Sequence, residues 1–88
     1  PRWPRFRGSR HEYPPLLRDA GIGGQVVVLI HVTELGTVKA ARIAQSSGYP
    51  QLDDAALRVA EEYEFAPAQI RDVKVATWVE FPINFRVR

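Results

Sequence analysis

The chain has 88 residues, 45% apolar and 25% charged, and contains no cysteine. That length fits one compact domain with a single modest core, while disulfides, thiolate metal sites and cysteine nucleophiles are excluded by count. The net charge of +2 hides an asymmetry: four of the twelve basic residues stand within the first eleven positions, which hold no acid, leaving eight basic against ten acidic residues elsewhere. Basicity belongs to an N-terminal arm and not to the fold, so bulk charge gives no ground for expecting nucleic acid as a partner.

Residues 1–11, PRWPRFRGSRH, follow neither a two-residue nor a 3.6-residue period, which predicts a basic linker end or arm without regular structure. Arg2, Arg5, Arg7 and Arg10 interleave with Trp3 and Phe6, a combination suited to an acidic surface or lipid head groups if the arm binds anything. The folded domain is expected over residues 12–88. Pro14 and Pro15 suit a first helical turn, Leu16 and Leu17 follow, and Gly21 stands where a helix ends, predicting a short helix of about two turns.

From Gly24 the period becomes two, with Val26, Val28, Ile30 and Val32 on one face of a β-branched strand. Thr33 to Thr37 is a short loop in which Gly36 can take a positive φ, and a second strand resumes at Val38. Its apolar residues alternate only if a bulge near Lys39 or Ala40 returns them to one face. After the breakers Ser46 to Pro50, the residues Leu52, Ala55, Ala56, Val59, Ala60 and Tyr63 recur at helical spacing, and Phe65-Ala66-Pro67-Ala68 is expected to end that helix. Alternation then runs from Val73 to Val87. Such a strand, roughly 50 Å at about 3.3 Å per residue, must overhang or bend, and Pro82 puts it at a sheet edge.

The expected architecture is α+β: two helices packed on one face of a three-stranded antiparallel sheet, in the order helix, strand, strand, helix, strand. His11 and His31 lie in no metal-ligand frame, the adjacent acids Asp53-Asp54 and Glu61-Glu62 diverge on a helix, and Gly21-Ile22-Gly23-Gly24 precedes a strand instead of opening a helix. Neither an enzyme nor a cofactor is expected. The longest apolar run, Val26 to Ile30, is far below a membrane span, so an anchor would lie outside this segment; a chain that opens on Pro1 is expected to be a piece of a longer protein.

The segments Tyr13-Pro14-Pro15-Leu16, Gly21 to Val28, Ser47-Gly48-Tyr49-Pro50-Gln51-Leu52-Asp53-Asp54-Ala55-Ala56-Leu57, Phe65 to Ala68 and Phe81 to Phe85 together resemble the C-terminal domain of TonB-type energy transducers. The resemblance covers residues 13 to 87. It implies a periplasmic domain, tethered to the inner membrane in the full-length protein, that couples an energy-transducing inner-membrane protein to an outer-membrane transporter. The transporter's extended segment would add as a strand beside the last strand. The matching positions are Trp78, Glu80, Phe81, Pro82, Ile83, Asn84, Phe85 and Arg86 on that strand, with Tyr13 and Arg18 at the first helix. Three alternatives stay open: a structural accessory subunit of the same fold docked on a larger membrane or envelope complex, a TolA-like or cell-wall-linked adaptor, and a homodimer formed by self-pairing of the edge. Membrane contact would be indirect, through the anchor.

Overall fold

The computed structural model describes residues 2–9 and 23–85. Along the chain these form β1 (Arg5–Ser9), β2 (Gly24–Val32), β3 (Val38–Gln45), α1 (Pro50–Glu61), β4 (Tyr63–Ala66), β5 (Ala68–Ile70), β6 (Val73–Val75) and β7 (Thr77–Phe85). Three antiparallel strands in the order β3-β2-β7 make the central sheet, while β1 pairs with β4 and β5 with β6.

The period-two pattern of β2 is realised in full: Val26, Val28, Ile30 and Val32 are all completely buried. Each such side chain contributes roughly 1.5–3 kcal/mol by leaving water. Across β2 the register with β3 shifts twice, leaving Lys39 and Ala44 as extra residues between His31/Val32 and Val27/Val28. The first shift is the bulge that the broken alternation requires, and it returns Val38, Ala41 and Ile43 to the core face.

Helix α1 lays Leu52, Ala55, Ala56, Val59 and Ala60 against that face. Its alanines permit close approach, and Pro50 occupies the first turn, where its missing N–H is no loss. Tyr49 caps the backbone without a side-chain bond. Asp53 does the bonding instead, reaching back from the first turn to accept from the Ser47 amide at 3.0 Å, the Ser47 hydroxyl at 2.8 Å and the Ser46 hydroxyl. The Ser46 hydroxyl, followed by the Ser47 amide, holds its carboxyl below the usual carboxylate range.

The β2–β3 loop is a packing joint as much as a turn. Thr33 Oγ1 accepts from the Leu35 and Thr37 amides, Gly36 adopts φ 85°, and its carbonyl accepts from the Phe65 amide at 2.9 Å. A Cβ on Gly36 would stand 2.0 Å from the Phe65 carbonyl oxygen, so glycine is required there both by conformation and by space.

Several expectations are corrected. The fold is α+β, but it is richer in sheet than two helices on three strands. Among the described residues there is one helix, and two strand pairs are added to the central sheet. The helix expected near residues 14–20 lies outside the described residues. Helix α1 ends at Glu61, not at Phe65; Tyr63 and Phe65 are buried as strand residues of β4. The alternation from Val73 onward is divided at Ala76: β6 folds back on β5 through Arg71 and Asp72, both at positive φ, and only β7 joins the central sheet. Part of the arm is ordered. Arg5–Ser9 runs antiparallel to Tyr63–Ala66 with a register shift at Arg7, and Arg2 exchanges two main-chain bonds with Gln69.

Candidate functional site: the open edge of β7

Strand β7 lies at the margin of the central sheet, as the proline requires. It pairs with β2 over nine residues without a register shift, from Thr77 opposite Val32 to Phe85 opposite Gly24. Val27 stands opposite Pro82. Proline has no N–H to give, so an unbroken ladder turns its nitrogen away from β2. Main-chain direction alternates along a strand, which places the N–H and C=O of Trp78, Glu80 and Asn84 on the same open side, with a carbonyl alone at Pro82. No described strand pairs with that side.

The same alternation divides the side chains. Ile83 is buried, and Val79, Phe81 and Phe85 pack against the core. Trp78, Glu80, Pro82 and Asn84 are exposed on the face opposite the helix. There the Trp78 ring stacks on His31 of β2 at 4.8 Å between centroids, and the Arg42 guanidinium of β3 stands 5.5 Å from its centre. Trp78 is thereby held upright beside the open edge with 40% of its surface exposed. His31, expected to face solvent as an ordinary side chain, forms the floor of this stack.

The arm reaches the core face of β7 and the region beside it. Phe6 places its ring 4.6 Å from Tyr63, 5.7 Å from Phe65 and 5.0 Å from Phe81. Arg2, Trp3, Arg5 and Arg7 instead line an open cleft, joined there by Lys74 and Leu35. Of the residues singled out from the sequence, Trp78 to Phe85 therefore share one strand, Phe6 packs on its core face at Phe81, and Arg2, Trp3, Arg5 and Arg7 gather at the cleft. Tyr13, Arg18, Arg10 and Arg86 lie outside the described residues. The roles of Phe6, Leu35 and Lys74 were not legible: a three-residue alternation in Arg5-Phe6-Arg7 is too short to read as a strand, and only the pairing of β1 with β4 brings these residues near Lys74.

Together these features define a small α+β domain in which, among the described residues, no strand pairs with the outer side of β7. Residues 9–87 match the family described as Gram-negative bacterial TonB protein C-terminal. The chain belongs to that family. It is 34% identical over 76 residues to Protein tonB2 of Pseudomonas aeruginosa, which covers 86% of this chain and 28% of the relative. It is 32% identical over 74 residues to Protein TonB of Xanthomonas campestris pv. campestris, covering 84% and 33%. To Protein TonB of Vibrio cholerae serotype O1 it is 32% identical over 75 residues, covering 85% and 31%. The chain thus spans a third or less of the length of these relatives.

Proposed function

We propose that this domain is a periplasmic, non-enzymatic protein-interaction module of a TonB-type energy transducer, tethered to the inner membrane elsewhere in the full-length protein. In this reading it couples that transducer to an outer-membrane transporter by accepting an extended segment of the transporter along β7. Membership of the family supports the role. The observation that carries the mechanism is the nine-residue, unshifted edge of β7, since the opposite margin of the sheet, β3, is interrupted by two bulges that discourage pairing.

Main-chain bonds netting roughly 0.5–1.5 kcal/mol each, less the cost of ordering the peptide, give a micromolar-class contact that can form and release. A strand bonded in shear shares load along its ladder, which suits the transfer of force. Trp78, positioned by His31 and Arg42, would grip the added strand's side chains beside the edge.

Titrating the 15N-labelled chain with a short peptide of alternating apolar and polar residues tests this. Amide shifts are expected along Thr77 to Phe85, strongest at Trp78, Glu80 and Asn84. Glu80→Pro removes one outward donor and should weaken binding at least several-fold while leaving the spectrum folded. Shifts confined to another surface would refute the reading. Concentration-dependent broadening of the same amides without peptide would identify a second copy of the chain as the occupant.

A further inference from the structure

We propose that the cleft beneath the arm is a second contact site, one that seats the domain on the anionic phospholipid head groups of a bilayer. The cleft measures about 710 Å³ and lies open to solvent. Arg2, Arg5, Arg7 and Lys74 line it, and none of the described residues lining it is acidic. Three of these cations come from the arm and the fourth from β6, so the cluster exists only because β1 is clamped to β4 and Arg2 to Gln69. A bare linker would spread the same charges along a coil; here the fold gathers them on one side.

The two most exposed of the large hydrophobic residues stand at this cleft. Trp3 is 76% exposed and Leu35 79%, and they come from separate elements, the arm and the β2–β3 loop. An indole and an isobutyl group projecting beside a cationic cluster match the layering of a membrane interface, with phosphates at the depth of the cations and apolar groups just below. An acidic polypeptide would use the cations but leave Trp3 and Leu35 in water, so the bilayer satisfies more of what the surface offers. Glu34, beside Leu35 on the loop, and Asp72, which shares a neighbouring pocket with Arg2, oppose this attraction, and the four cations outnumber them. The cleft adjoins the start of β7, where Thr77 shares a small pocket with Arg2 and Trp3, but none of the described residues lining the cleft lies on that strand.

The test is flotation of the 88-residue chain with vesicles of phosphatidylcholine alone or with about 30 mol% phosphatidylglycerol. Binding is expected only to the anionic vesicles, accompanied by a blue shift of tryptophan emission that Trp3→Phe removes. It should fall sharply between about 50 and about 500 mM salt. Arg5→Gln with Lys74→Gln should weaken binding about 25-fold, at about fivefold per cation near the surface. Trp3→Ser with Leu35→Ser should weaken it about tenfold. All four side chains line an open cleft, so unchanged unfolding midpoints and unchanged peptide shifts along β7 are expected in both double variants.

Equal binding to neutral and anionic vesicles, or undiminished binding of the Arg5/Lys74 variant, overturns the proposal. So does release by about 5 mM inorganic phosphate, which would mark a single-anion pocket instead of a surface contact. Tighter retention on polyglutamate than on vesicles, insensitive to the Trp3/Leu35 change, would replace the bilayer by an acidic polypeptide.

Discussion

Gly36 and Asp53 show how single residues fix the frame that carries both surfaces. Gly36 combines a φ of 85° with a backbone oxygen 2.0 Å from where a Cβ would lie, so Gly36→Ala must move either the loop or β4. A loss of about 2 kcal/mol or more is expected, read as a lower denaturant midpoint at an unchanged slope. Asp53 acts through charge. Its carboxyl is held below the usual range by the Ser46 hydroxyl and then the Ser47 amide, so it binds a proton less readily when folded than when unfolded. Its stabilising contribution is therefore complete above about pH 5 and is lost as pH falls through the lowered value. Thermal unfolding of Asp53→Asn against the parent chain should show a deficit at neutral pH that shrinks on acidification. A deficit that grows in acid would mean that the Ser46–Ser47 bonds do not favour the ionised form. The sequence placed Asp53 on a helix, but its partners became visible only once the turn at Ser46 to Tyr49 was folded.

At the scale of elements, legibility tracked the length of the periodic pattern. Nine residues of β2 and twelve of α1 repeat often enough to declare their type and their buried face, and even the bulge at Lys39 followed from a broken alternation. Strands of three to five residues carry no such signal, so β1, β4, β5 and β6 were missed or merged with their neighbours. Their pairing is decided by distant partners, above all by aromatic packing. Phe6 belongs to a cluster with Tyr63, Phe65 and Phe81, yet it is 44% exposed, which makes it the bolt of β1 and not part of the deep core. Edge-to-face pairs contribute about 0.5–1.5 kcal/mol beyond the area they bury. Phe6→Ala should therefore release β1 while the central sheet stays closed: amide exchange is expected to accelerate in β1 and at β4, with β2 protected as before. Uniform acceleration in all three would show that the arm is integral to global stability.

For the molecule as a whole, β7 is the element on which stability and recognition meet, and its alternation keeps them apart. Inward residues hold the sheet to the helix: Ile83 is 1% exposed within the core that Leu52, Val26 and Val28 share. Outward residues serve the edge, whose position Pro82 alone makes legible, because a proline cannot sit inside a ladder. Which residues occupy the outward positions needed the pairing of Val27 with Pro82. The two halves should respond separately. Ile83→Ala is expected to remove about 2–4 kcal/mol of stability, the usual cost of a cavity left by a buried Ile, and at temperatures where it remains folded it should bind an extended peptide nearly as the parent does. Glu80→Pro should leave the unfolding midpoint close to the parent's and weaken peptide binding several-fold. Denaturant unfolding paired with peptide titration reads both. If Glu80→Pro instead unfolds the chain, its N–H belongs to the ladder with β2, and the main-chain groups left for a partner are those of Val79, Phe81 and Ile83.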